Sequence, residues 1–228
     1  MASLRDEIKK TFEGMAKRDI PSEILNTGCL EVVYGSKKYP GVESDFLWWF
    51  VNMHMDEDVA IRILSFRKGR EDLILRLLSS YCDIPTEKLR KSVLTQNELE
   101  IVNKAVAFFA EKNIQIAYDD EEIEKDEQLI LIDGANVYLE NLLLQLKRLK
   151  KIAVAKHKKI VLLIPYATPK QQVLFDTVVD YSTYITPIEE HDNAKWLHFE
   201  YGGTPCVWQR DTGRIVSEVS DTGETSTP

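Results

Sequence analysis

Residues 32–44, Val-Val-Tyr-Gly-Ser-Lys-Lys-Tyr-Pro-Gly-Val-Glu-Ser, run from an apolar strand end through a glycine-bounded loop toward a helical pattern over Asp45 to Val51. Residues of these types at this spacing point to phosphate chemistry. In a loop reading G-x-x-x-x-G-K-[ST], backbone N–H groups cradle phosphate oxygens, the Lys reaches the outer phosphates and the hydroxyl helps to hold Mg²⁺. This chain departs from that pattern. Five residues rather than four separate Gly35 from Gly41, and Val42-Glu43 stand where the Lys and the Ser/Thr belong. A carboxylate at that point repels a triphosphate. What remains as a vestigial nucleotide site is Gly35, Ser36, Lys37, Lys38, Gly41 and Ser44, with Lys37, Lys38 and Ser44 as substitutes for the missing groups. The plainer alternative is a strand–helix turn that holds no ligand.

The elements that would position this loop are legible from periodicity. Leu30 to Tyr34 reads as a first strand, Val59 to Ser65 as a second, Ile114 to Tyr118 as a third, Leu129 to Asp133 as a fourth and Ile160 to Ile164 as a fifth. Runs with so few polar residues suit a parallel sheet covered on both faces. Between them lie helical patterns at Arg70 to Tyr81, Pro85 to Lys91, Asn97 to Lys112 (opened by a Thr95/Glu98 capping box) and Tyr138 to Lys158. Asp133, at the end of an apolar strand, is the carboxylate placed to hold Mg²⁺ through water if nucleotide binds, and otherwise a helix cap. Beyond residue 164 the pattern is strand-rich: Tyr181 to Ile188, Lys195 to Tyr201, Cys206 to Arg210 and Ile215 to Val219, with Gly202-Gly203 and Asp211-Thr212-Gly213 as hairpin turns. Strand–loop–helix repetition predicts an α/β domain with a mostly parallel sheet, helices on both faces and an antiparallel C-terminal edge. Trp48-Trp49 belongs in a core or an interface.

Composition narrows the functions. The 228 residues carry a net charge of −8, which argues against a protein that grips DNA by its phosphates. There is no apolar run long enough for a membrane span and no signal-peptide core in residues 1–17, and three scattered cysteines with one left unpaired suit a reducing cytoplasm. Cys29, Cys82 and Cys206 form no C-x-x-C pair and read as small buried hydrophobes, and the four histidines have no zinc spacing. A local contrast lies inside the average: residues 119–127 are acidic, whereas Lys147-Arg148, Lys150-Lys151, Lys156 and Lys158-Lys159 are basic. Both read first as solvated faces. Three parts are expected: a helical arm over 1–20, with Ile8, Phe12 and Met15 on one stripe, a domain over 21–219 and a disordered tail over 220–228.

Two segments carry a family resemblance. Arg70-Glu71-Asp72-Leu73-Ile74-Leu75-Arg76-Leu77-Leu78-Ser79-Ser80, followed by Leu89-Arg90-Lys91-Ser92-Val93-Leu94-Thr95-Gln96-Asn97-Glu98, resembles a region of the RecA-fold motor domain of DnaB-type replicative helicases. Leu129 to Asp133 is similar to that family's Walker B strand, and Tyr34 to Ser44 sits where its Walker A loop belongs. The resemblance implies a RecA-like P-loop NTPase fold from about Thr27 to Val219. Position by position it also implies losses. The P-loop Lys and Thr are replaced by Val42 and Glu43, the catalytic Glu by Phe66 or Arg67, and the γ-phosphate-sensing Gln by Pro165 or Tyr166. The Lys-x-Arg pair falls at Phe199-Glu200-Tyr201, and the two DNA-binding loops shrink to Gly134 to Tyr138 and Ala167 to Gln172. Asp133 survives as the Walker B aspartate.

Phosphoryl transfer needs these charges together, so their joint loss implies a degenerate, pseudoenzyme form with no cofactor and no helicase activity. The expected function is protein–protein interaction, with a helicase-like subunit or a second copy as partner and regulation of DNA replication as the role. The rival is a divergent ATPase in which Lys37 or Lys38 serves as the P-loop lysine and Asp133 holds Mg²⁺ with ATP. A third reading, a nucleic-acid-binding module on the Lys147 to Lys159 helix, has the net charge against it.

Overall fold

The computed structural model describes residues 27–54, 59–66, 68–117, 127–134, 139–191, 196–201 and 204–217. The expected arm and tail, Arg67, and most of the acidic run lie outside them.

Six parallel strands form the main sheet: β1 (Cys29–Tyr34), β2 (Ile61–Ser65), β3 (Ile114–Ala117), β4 (Leu129–Asp133), β5 (Lys159–Ile164) and β6 (Tyr181–Tyr184), in the order β3-β2-β4-β5-β1-β6. The central strands are buried along their whole length, which is why β4 and β5 read as apolar runs with polar residues only at their ends. Their side chains divide by the two-residue period of a strand. Val33, Leu129, Leu131, Val161 and Leu163 face one core, shared with helix α1 (Val42–Met53). Leu30, Val32, Tyr34, Ile130, Ile132, Ile160, Leu162 and Ile164 face the other, shared with the long helix α5 (Leu139–Lys156) through Leu142, Leu146, Leu149 and Ala153. Both Trp48 and Trp49 are buried, in the first of these cores.

Helices α2 (Arg70–Cys82), α3 (Thr86–Arg90) and α4 (Gln96–Ala110) follow β2. The capping box expected at α4 is present: Glu98 N–H donates to Thr95 Oγ1 at 3.2 Å and Thr95 N–H to Glu98 Oε2 at 2.8 Å. One helix was not anticipated. Pro169–Asp176 forms α6, so Ala167 to Gln172 is not a loop but a helix start. Its signal was in the sequence, since Thr168 and Gln171 form a second capping box and Pro169 takes the first helical position.

The C-terminal antiparallel strands pair with one another rather than along the main sheet. β7 (Thr186–His191), β8 (Trp196–Tyr201), β9 (Thr204–Gln209) and β10 (Ile215–Ser217) form a second, four-stranded sheet in the order β10-β9-β8-β7. The single strand expected over Tyr181 to Ile188 therefore divides. Its first half, β6, continues the parallel sheet beside β1, and its second half opens the antiparallel one. Register brings the ends of the main strands to one level: Ser65 lies beside Asp133, Asp133 beside Leu163, and Leu163 beside Val33. Loops leaving these carboxyl ends converge where open α/β sheets hold their ligands.

Candidate functional site

The loop from Gly35 to Gly41 crosses the carboxyl end of β1 and feeds α1. It is pinned at its start by Gly35 N–H to Ile164 O at 2.7 Å and folded by Tyr39 N–H to Ser36 O at 3.1 Å. Gly41 has φ of +100°, a conformation that glycine adopts without strain, and it starts the helix. Gly35 is required for a different reason. A Cβ there would lie 2.6 Å from Glu43 Oε2 and 2.7 Å from the Pro165 carbonyl oxygen.

Ser44 and Asp133 meet. Ser44 Oγ donates to Asp133 Oδ1 at 2.8 Å, and Ser65 Oγ donates to Oδ2 at 3.4 Å. Asp133 is fully buried, and its carboxylate is hydrogen-bonded to two serine hydroxyls. This revises the register read from the sequence. The hydroxyl that touches the strand-end aspartate belongs to Ser44, not to position 43. The residue immediately before that hydroxyl, where a P-loop carries its lysine, is Glu43. Glu43 is 0% exposed, and its carboxylate turns back into the loop to accept the Gly41 N–H at 3.1 Å.

The two candidate substitute cations lie elsewhere. Lys37 and Lys38 are exposed; Lys37 Nζ stands 5.7 Å from the centre of the Tyr166 ring and Lys38 Nζ 5.0 Å from that of Tyr39. Ser36 Oγ accepts the Lys38 N–H at 3.3 Å and so shapes the loop. At the other expected stations, Phe66 is exposed and its N–H bonds the Asp133 carbonyl at 3.1 Å, and Tyr166 is exposed beneath Lys37. Phe199, Glu200 and Tyr201 lie on β8 of the second sheet. Arg67 and residues 135–138 fall outside the described residues.

Glu43, immediately before Ser44, is a buried carboxylate, and among the described residues no three His, Cys, Asp or Glu side chains cluster together. Ser44 with Asp133 forms a hydroxyl–carboxylate pair in hydrogen-bonding geometry.

Two neighbouring networks hold the site's frame, and neither is visible in the sequence. Asp45, in the first turn of α1, receives Arg76 Nε at 2.8 Å, Arg76 Nη2 at 2.7 Å and Trp208 Nε1 at 2.8 Å. The same guanidinium donates to Thr86 Oγ1 and to the carbonyls of Arg210 and Asp211, so α1, α2, α3 and the β9–β10 turn share one ion pair. On the other side of β1, the hydroxyls of Tyr34, Ser182 and Tyr184 converge on the Asp176 carboxylate, with the two tyrosine rings stacked 4.9 Å apart. Burial and the Asp176 charge push both phenols up, Tyr184 to about 12. Burial also raises the Cys29 and Cys82 thiols, Cys82 to about 12, and Cys206 is buried, in keeping with cysteines that pack rather than react.

A parallel sheet with helices on both faces, with a Gly-bounded loop after its first strand and an aspartate ending a neighbouring one, is the RecA-like fold of P-loop ATPase domains. Solved structures bear this out. The chain is similar to "ATPase Domain of G40P", with a TM-score of 0.65 and 12% identity over 96% of this chain and 100% of that one. It is equally similar to a DnaB-like replicative helicase whose structure was solved with reference to its interactions with primase, at a TM-score of 0.65 and 12% identity over 95% of this chain and 67% of that one. The fold is thus that of DnaB-like helicase ATPase domains. No family model matches the chain, and no curated protein matches it in sequence. No described helix is long and apolar enough to cross a membrane.

Proposed function

We propose that this chain is a catalytically inactive protein on a helicase ATPase scaffold, one that works by binding other proteins and regulates a replicative helicase. The observation that carries the reading is Glu43: a buried carboxylate directly precedes the Ser44 hydroxyl and lies against the loop in place of a lysine. A site that stabilises transferring phosphate needs positive charge there, and reversing that charge removes the largest part of its catalytic power. The preserved strands and register argue that the scaffold itself still serves, and a helicase-like subunit or a second copy is the partner such a surface suits. The solved DnaB-like relative is titled for its interactions with primase, which supports interaction as a use of this fold. A role in replication places the protein in the cytoplasm.

One observation favours a second reading. The 2.8 Å hydrogen bond between Ser44 and Asp133 keeps the hydroxyl–carboxylate pair through which an ATPase holds Mg²⁺. In that reading the chain is a divergent ATP-binding domain, with Lys37 or Lys38 swinging in from the surface. Titration with a fluorescent ATP analogue in the presence of Mg²⁺ separates the two. No binding is the expected result, whereas micromolar binding lost in Asp133→Ala would establish the second reading. Capture from host lysate with the full chain as bait tests the partner: recovery of a replicative helicase is expected, and its absence from repeated captures would sink the regulatory role.

A further inference from the structure

We infer that Glu43 is the standing occupant of the loop's own anion cradle, an internal contact that takes the place of a bound phosphate and keeps the loop shut. This closure deepens the proposed loss of nucleotide binding, on which it rests, by naming its cause.

Three observations meet at one carboxylate. Glu43 Oε2 accepts the N–H of Gly41, a backbone donor of the segment that cradles phosphate in a working loop. The side chain lies so close to Gly35 that a single added carbon there would sit 2.6 Å from Oε2, which leaves no room for a phosphate oxygen between them. And the residue is fully buried, in the first turn of a twelve-residue helix whose N-terminal N–H groups favour negative charge. Burying a carboxylate is costly unless donors satisfy it, and the Gly41 N–H is one such donor that holds it in the loop. An incoming phosphate would have to displace a negative charge from a water-poor site while carrying more of the same charge, and Coulomb repulsion is strong there.

A glutamate where a P-loop carries its lysine therefore does two things. It places no cation where one would reach the ligand, and it supplies an anion that engages the Gly41 N–H from within. The loop can keep its shape with nothing bound, as a protein used for its surface requires.

The test uses inorganic tripolyphosphate, the charged part of a nucleotide without its base, in calorimetric titrations of the full chain. The wild type is expected to show no binding. Glu43→Ala should bind at least about tenfold more tightly than the wild type, and Glu43→Lys more tightly still. Glu71→Ala and Glu71→Lys, which make the same charge changes on an exposed turn of α2, should leave the wild-type result unchanged. Failure of both Glu43 variants to exceed the Glu71 controls overturns the closure and leaves the loss of nucleotide binding standing. Binding by the wild type itself overturns both. A crystal structure of the wild type soaked in tripolyphosphate decides the matter even if the variants do not fold: an intact Glu43–Gly41 contact with no anion in the loop supports it, and a seated anion with Glu43 swung outward refutes it.

Discussion

Glu43 and Ser44 are adjacent in the chain, yet the first turn of α1 aims the Glu43 carboxylate back at the Gly41 N–H and the Ser44 hydroxyl at Asp133. Other single residues carry stability that can be read as titrations. The ammonium of Lys88 and the Thr95 amide hold the Glu98 carboxyl well below its usual range, at about 2. A depressed carboxylate stabilises the fold above its ordinary pKa, so this contribution is present at neutral pH and fades as pH falls through about 2. Thr95→Ala should cost about 1 kcal/mol, measured by urea unfolding at neutral pH. Tyr184 works in the opposite sense. Its phenol is raised to about 12 by burial and Asp176, so the neutral form is favoured in the folded state. Stability from this group is complete below pH about 10 and is lost as pH rises through about 12. Tyrosinate absorbance should show a late-titrating phenol, and Asp176→Asn should bring that titration earlier.

At the scale of elements, α1 is the hinge of the design. Nearly every residue of Val42–Met53 is buried, and Phe46, Trp48, Trp49 and Phe50 pack against β1, β4 and β5. Its Asp45 then reaches both Arg76 of α2 and Trp208 of the second sheet. Removing one partner of a buried pair strands the other charge. Asp45→Ala or Arg76→Met should each cost roughly 3–5 kcal/mol in chemical denaturation. The double variant should cost clearly less than their sum, and additive losses would show that the pair is not coupled. Gly213 belongs to the same joint, since a Cβ there would lie 2.4 Å from Arg76 Nε. Most elements were legible in advance because apolar period and caps are local signals. α6 is announced by its Thr-Pro-x-Gln start alone, a signal four residues long. The Asp45–Arg76–Trp208 joint had no such signal, since its members are separated by up to 163 positions.

For the whole molecule, the two sheets and the net charge of −8 set what surface is offered to partners. The basic residues of α5, Lys147, Arg148 and Lys151, are exposed on one helix, but the chain as a whole carries a net charge of −8. Anisotropy titration of a labelled oligo-dT at physiological salt should give a Kd weaker than about 10⁻⁴ M. Salt-sensitive micromolar binding would instead revive the nucleic-acid reading.

Taken alone, the residue pattern determined the first five parallel strands, the helices between them and the departure of the Gly35–Ser44 loop from the G-x-x-x-x-G-K-[ST] pattern. These follow from periodicity and from residue type within a short window, which folding does not alter. Only the tertiary structure decided that the antiparallel strands form a sheet of their own, and that Ser44 rather than position 43 meets Asp133. It alone placed the Glu43 carboxylate inside the loop. Each of these depends on strand register and on the pitch of α1, which set where neighbouring side chains point, so that Glu43 meets the Gly41 N–H while Ser44 meets Asp133.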